Sequence, residues 1–71
     1  MNRKYQYQVF NKYINLIVTV PLNTEEYAEG FAKRTAQDFY DLEEQYLQDL
    51  NVVFICEFMM ESVINVNLLQ K

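Results

Sequence analysis

Apolar residues alternate with other residues at a period of two between residues 5 and 20, and this alternation constrains the fold more than any other feature of the chain. A period of two is typical of β-strands, because successive side chains of a strand point to opposite faces. The phase slips near Asn11 and Lys12, where a two-residue turn would bring both apolar sets onto one face. The sequence therefore predicts a β-hairpin, with the cross-strand pairs Phe10–Tyr13, Val9–Ile14, Tyr7–Leu16 and Tyr5–Val18.

A long amphipathic helix is predicted after Pro21, which ends the second strand. Asn23 and Glu26 form a capping-box pattern, so we expect the helix to run from about Thr24 to Asp49. Its apolar positions recur at steps of one, three or four residues and form a stripe that should face the hairpin, with Phe39 at the centre. The stripe consists of Ala28, Phe31, Ala32, Thr35, Phe39, Leu42, Tyr46 and Leu50.

Gly30 lies inside this predicted helix. Glycine there costs about 1 kcal/mol relative to alanine. We therefore expect Gly30 to mark close packing against another element or a bend in the helix.

The last third of the chain is predicted to return to β-structure. Val52–Met60 is apolar on both phases apart from Glu57, as expected of a strand that is covered on both faces. Residues 64–68 alternate again, so a short loop around residues 60–62 would form a second hairpin. The alternative is a terminal helix from about Phe58 onward, because Met, Glu and Leu favour helices.

The predicted fold is one α+β domain that spans residues 1–71, with the order ββαββ and a mainly antiparallel sheet. The alternative is ββαβα, with a C-terminal helix. A single helix covers only one face of a sheet, which leaves an apolar set on the other face without a layer over it. We expect self-association through this set, as a two-fold dimer. Its members are Phe10, Tyr13 and Ile17.

The composition argues against an enzyme. The chain has no histidine, one cysteine and one glycine, which removes the usual general base, the Cys-His pair, the common zinc sites and the glycine-rich phosphate loops. We therefore expect no cofactor, no metal and no catalytic residue. The longest apolar-rich segments have about ten residues, half of what a membrane-spanning helix needs. Residues 1–4 do not resemble a signal peptide, so the expected location is the cytoplasm.

Charge is distributed unevenly along the chain. Residues 1–23 carry +3, residues 24–49 carry −6 and residues 50–71 carry −1, which gives the net charge of −4. This balance disfavours direct binding to a nucleic acid and permits binding to a basic protein. The helix is predicted to present an acidic face for that partner, and the face consists of Glu25, Glu29, Asp38, Asp41 and Glu44.

Two functions are consistent with these features. The first is a small acidic protein-binding module, an inhibitor or regulator that imitates nucleic-acid charge and engages a basic nucleic-acid-binding protein. In size and charge it is comparable to anti-CRISPR and anti-restriction inhibitors of phages and mobile elements, although no motif is shared. The second is a structural or regulatory homodimerisation module whose acidic helix is only a solvated face.

Overall fold

The structure is a computed structural model that describes Asn2–Met60, and it contains one antiparallel sheet and one α-helix. The three strands lie in the order β2-β1-β3, and both neighbouring pairs are antiparallel. This confirms the prediction of a small α+β domain with an antiparallel sheet. The elements are β1 (Asn2–Phe10), β2 (Asn15–Val20), α1 (Glu25–Phe39), a 3-10 helix (Glu44–Leu47) and β3 (Asn51–Met60).

The hairpin between β1 and β2 is present, but its register differs from the predicted one by two residues. Tyr7 pairs with Val18 and Val9 pairs with Leu16, so the connecting loop is longer than a two-residue turn. Residues 11–14 form this loop, which is closed by a hydrogen bond of 2.9 Å from the Asn11 backbone N–H to the Ile14 carbonyl. A shift of two residues leaves the side chains that remain in the two strands on their predicted faces, because the side-chain period of a strand is also two.

The helix is shorter than predicted at its C-terminal end. Its cap is Thr24 rather than Asn23, with Thr24 Oγ1 accepting a hydrogen bond of 3.2 Å from the Tyr27 N–H. At the other end Asp41 adopts a left-handed conformation with φ of 55°, which a right-handed helix cannot contain. The apolar periodicity continues beyond this point, but the chain turns away, and the prediction of a helix to Asp49 is wrong.

The core lies between α1 and the sheet and depends on small helix residues. Ala28, Ala32 and Ala36 are fully buried against the sheet. Because alanine has the shortest side chain that still favours a helix, the helix can approach the strands closely. The other buried apolar residues are Tyr7, Val9, Val18 and Val20 of the sheet, Ile14 of the β1–β2 loop and Leu47 of the 3-10 helix.

Phe39 does not belong to this core. Its side chain is 80% exposed, at the last residue of α1. The expectation that it would be the central buried residue of the helix stripe is therefore wrong.

Gly30 does not mark close packing. A Cβ atom built on it would meet nothing within 4 Å, and α1 continues through it. It lies on the exposed side of the helix.

The third strand was predicted correctly in position, but it is not covered on both faces. β3 pairs with β1 through a register shift opposite Gln6 and Tyr7. Its large apolar side chains Val53, Phe54 and Ile55 remain close to half exposed. Phe58 lies within the strand rather than at the start of a helix. The predicted fourth strand at residues 64–68, like the remainder of the alternative C-terminal helix, lies outside the described residues.

The α-helix of the described part of the chain has 15 residues. No helix there has both the length and the apolar composition that a bilayer crossing requires.

Candidate partner-binding surface

The five predicted acidic residues do not form one helix face. Glu25, Glu29 and Asp38 lie on α1, whereas Asp41 follows the helix and Glu44 begins the 3-10 helix. The helical spacing of three between Asp38, Asp41 and Glu44 is therefore not realised. The structure divides the predicted set between two places.

Two of the helix carboxylates lie beside cations of the same helix. Glu29 Oε2 lies 3.5 Å from Lys33 Nζ, and Asp38 Oδ2 lies 3.6 Å from Arg34 Nε. Such exposed pairs contribute only about 0.3–0.5 kcal/mol to stability. They nevertheless reduce the negative potential that α1 presents to a partner.

The connection between α1 and β3 has carboxylates without cations. We call residues 40–50 the acidic loop, because this segment contains four acids and no Lys or Arg. All four carboxylate side chains belong to exposed residues. They are Asp41, Glu43, Glu44 and Asp49.

The acidic loop is held in place by one asparagine of the β1–β2 loop. Asn11 Nδ2 donates hydrogen bonds to the Tyr46 carbonyl at 3.0 Å and to the Gln48 carbonyl at 2.8 Å. Asn11 Oδ1 accepts from the backbone N–H groups of Tyr13 at 2.7 Å and Ile14 at 2.9 Å. The side chain thus joins the two loops and uses both ends of its amide group.

Local backbone and packing also define the acidic loop. Asp41 and Asp49 both have positive φ, 55° and 54°, so the chain reverses near each end of the loop. Aspartate tolerates this left-handed conformation better than most residues other than glycine and asparagine. Between them, Leu47 is 1% exposed and packs with Ile14 and Ala36. The loop is therefore anchored by a core residue while its carboxylates face solvent.

Exposed aromatic rings lie next to these carboxylates. Phe39 is 80% exposed, Tyr40 is 60% exposed and Tyr13 is 53% exposed. The Tyr13 ring packs edge-on against Tyr46 at a centroid distance of 5.0 Å. Lys12 Nζ lies 5.2 Å from the centroid of the Tyr13 ring, within the range of a cation–π contact.

Two open clefts meet at Tyr13. We call the first, of about 420 Å³, the Tyr13–Tyr40 cleft; it is lined by Tyr13, Ile14, Asn15, Leu16, Tyr40 and Leu42. The second, of about 650 Å³, has both polar and apolar walls and is lined by Phe10, Asn11, Lys12, Tyr13, Gln45, Gln48, Asp49 and Asn51. Both clefts lie between the β1–β2 loop and the acidic loop.

The three residues predicted to mediate self-association are not all on the sheet. Ile17 is 64% exposed and pairs with Gln8, and Phe10 shares that face in alternation with buried Val9. Tyr13 lies in the β1–β2 loop instead. The prediction that it belongs to the sheet face is wrong, because the longer loop moves it out of the strand.

The same sheet face also contains a row of polar contacts. Gln8 Nε2 donates to Asn15 Oδ1 at 2.9 Å, and Gln6 Nε2 donates to Thr19 Oγ1 at 3.4 Å. Cys56, a half-buried free thiol, lies with its Sγ 3.5 Å from Gln6 Oε1. The face is therefore less apolar than the sequence pattern indicated.

Sequence reasoning missed the exposed aromatic pair at the end of α1. Phe39 was assigned to the buried stripe, and Tyr40 was not singled out. A signal was available, because neighbouring helix residues point about 100° apart and two adjacent aromatics cannot both face a narrow stripe. The two flanking aspartates, Asp38 and Asp41, also favour a helix end.

Among residues 2–60, no group of three or more Cys, Asp or Glu side chains is arranged to hold a metal ion. Comparisons with protein-family models, with curated proteins and with solved structures found no match.

Proposed function

We propose that this protein is a binding module rather than an enzyme, and that its acidic loop engages a basic surface of another protein. One observation supports this most: four exposed carboxylates without a cation lie between α1 and β3, next to exposed Phe39 and Tyr40. Carboxylates of one sign attract a basic partner and raise its association rate. Exposed aromatic rings provide the apolar contact area that anchors many interfaces.

The acidic loop is a better binding surface than the helix face predicted from the sequence. Glu29 and Asp38 lie beside Lys33 and Arg34, whereas the acidic loop contains no cation that could pair with its carboxylates. The loop is also held by Asn11 and Leu47, which lowers the entropy lost when a partner binds.

We propose a nucleic-acid-binding protein as the partner, because its basic groove matches a dense set of carboxylates. The module would then act as an inhibitor or regulator that occupies the groove in place of nucleic acid, in the manner of small inhibitors from phages and mobile elements. Direct binding of this chain to nucleic acid is disfavoured by its net charge of −4. A reducing compartment such as the cytoplasm suits the free thiol of Cys56.

Neutral variants of two matched acidic sets test this proposal. The loop variant combines D41N, E43Q, E44Q and D49N, and asparagine is chosen at the two positive-φ positions because it tolerates that conformation. The helix variant combines E25Q, E26Q, E29Q and D38N. Each removes four charges, and circular dichroism checks that both remain folded.

Binding is measured by fluorescence anisotropy with a short labelled peptide rich in Lys and Arg. We expect the loop variant to bind at least about tenfold more weakly than the wild type, since each exposed ion pair contributes about 0.2–1 kcal/mol. The helix variant should bind within about threefold of the wild type. Glu25, Glu26 and Glu29 lie about 15 Å or more along α1 from Phe39, where their charges are screened at physiological salt, and Asp38 lies beside Arg34. Equal losses in both variants would contradict a localised site, and absence of binding by the wild type would end the proposal.

A second candidate function is homodimerisation, which the exposed apolar side chains of β3 favour. Val53, Phe54, Ile55 and Met59 are each close to half exposed along one strand. β3 is an edge strand of the described sheet, and exposed apolar side chains on an edge strand favour pairing with another chain. Sedimentation should then give about twice the chain mass of 8.6 kDa. Changing Val53 and Ile55 to Ser should shift the protein to the monomer, and a wild type that is monomeric at high concentration would exclude this function.

A further inference from the structure

We propose that the Tyr13–Tyr40 cleft binds an arginine side chain of the basic partner. This inference rests on the function proposed above and identifies which basic residue the surface selects. The cleft combines two exposed phenol rings with the aliphatic side chains of Ile14, Leu16 and Leu42. An arginine has matching parts, because its stem is apolar and its guanidinium is planar and charged.

The aromatic wall of the cleft already contacts a cation within the chain. Lys12 Nζ lies 5.2 Å from the Tyr13 ring centroid. The edge-on contact with Tyr46 at 5.0 Å holds the Tyr13 ring in position. The ring is therefore oriented before a partner binds, and it is able to contact a cation. Lys12 itself lines the second cleft and not the Tyr13–Tyr40 cleft.

Two acidic residues are neighbours, in the chain, of residues that line the cleft. Asp41 lies between Tyr40 and Leu42, which both line the cleft, and Glu43 follows directly. Both acids belong to exposed residues. An arginine in the cleft would thus have aromatic rings and aliphatic carbons beside its stem, and two carboxylates lie near the cleft in the chain for its guanidinium.

The chemistry of the cleft favours arginine over lysine. The guanidinium is more weakly hydrated than an ammonium group and stacks on aromatic faces, whereas the ammonium keeps its water shell. The net charge of the acidic loop attracts both cations equally. Preference for arginine is therefore a property of the cleft, and general attraction for cations is a property of the loop.

Two peptides of equal length and charge separate these properties. One contains several arginines and the other contains lysines at the same positions, and a third with citrulline serves as the uncharged control. We expect the wild type to bind the arginine peptide at least about fivefold more tightly than the lysine peptide, which corresponds to one cation–π contact at a partly exposed site.

Substitutions in the cleft test its role without altering charge. Y40L and Y13L should each reduce the arginine preference to less than about twofold, because the arginine peptide depends on the two rings more than the lysine peptide does. F39L is the matched control, because Phe39 is an exposed aromatic that does not line the cleft, and it should keep the preference. Y40L alters a side chain that is 60% exposed, so it remains informative if Y13L does not fold.

The outcomes distinguish the two proposals. A wild type that binds both peptides equally, or cleft variants that keep the arginine preference, would contradict arginine binding in the Tyr13–Tyr40 cleft. Either result would still support binding of a basic partner by the acidic loop. A wild type that binds neither peptide would overturn both.

Discussion

The Tyr7 hydroxyl donates a hydrogen bond of 2.6 Å to Asn23 Oδ1, and this bond connects the centre of the sheet to the start of α1. Tyr7 is 2% exposed and is the largest fully buried side chain of the core. Asn23 was predicted to cap the helix, but Thr24 caps it instead. The amide oxygen of Asn23 is therefore free to accept the hydrogen bond from the buried Tyr7 hydroxyl, which would otherwise need another partner.

The first prediction concerns pH. Burial raises the pKa of Tyr7 above the ordinary tyrosine value of 10.0, and the nearby Glu25 carboxylate and Tyr5 raise it further. The folded state therefore holds the phenol proton more tightly than the unfolded state. This contribution to stability is fully present below about pH 10 and is lost as the pH rises through the folded pKa.

Urea midpoints measured between about pH 8 and about pH 12 test this. The wild type should lose stability more steeply above about pH 10 than Y7F, which cannot ionise at this position. Parallel curves for the two proteins would show that Tyr7 does not contribute to the alkaline loss.

The second prediction is that G30A stabilises the protein by about 0.5–1 kcal/mol. The added methyl group meets no atom within 4 Å, and alanine has less conformational freedom to lose on folding. A32G is the opposite control, because Ala32 is fully buried in the same helix and should lose at least about 1 kcal/mol. Thermal unfolding of the three proteins gives the comparison, and a destabilised G30A would indicate that Gly30 has a conformational role.

Sequence patterns predicted the parts of this fold that depend on local periodicity. The hairpin faces and the third strand follow from the spacing of apolar residues, and the helix begins within one residue of its predicted start although Thr24 rather than Asn23 caps it. The register was wrong because it depends on loop length. Asn11 was interpreted as part of a two-residue turn, whereas its side chain supports a longer loop through contacts with residues 46–48, far away in sequence.

The end of the helix and the candidate site were less predictable. Neither Gly nor Pro marks the helix end, which depends on a left-handed conformation of Asp41 that several residue types can adopt. Leu42 and Leu50 continue the apolar stripe in sequence but reach the core from outside the helix. The acids were recognised, but their grouping into the acidic loop depends on this chain reversal.

The third prediction separates the core from the binding surface. L47A should cost about 2–5 kcal/mol, because Leu47 is 1% exposed and its removal leaves a cavity between Ile14 and Ala36. F39A should change stability by no more than about 0.5 kcal/mol, since Phe39 is 80% exposed. Chemical denaturation measures both. A large loss in F39A would restore the sequence-based assignment of Phe39 to the core.

The fourth prediction is that Asn11 determines the position of the acidic loop. Its amide makes two hydrogen bonds to the loop and two to its own turn. At about 0.5–1.5 kcal/mol for each bond, N11A should cost about 2–4 kcal/mol, with water replacing part of the loss at the exposed partners. N15A is the matched control, because Asn15 accepts one exposed hydrogen bond from Gln8 and should cost less than about 1 kcal/mol.

The N11D variant separates the two hydrogen bonds that the Asn11 side chain donates from the two that it accepts. The aspartate retains an oxygen acceptor for the Tyr13 and Ile14 N–H groups but cannot donate to the Tyr46 and Gln48 carbonyls. Its stability should lie between that of the wild type and that of N11A. Hydrogen exchange should show faster exchange in residues 44–48 of N11D while the β1–β2 loop stays protected, because only the contact between the loops is lost. Equal protection of both loops in N11D would mean that Leu47 alone holds the acidic loop against the sheet.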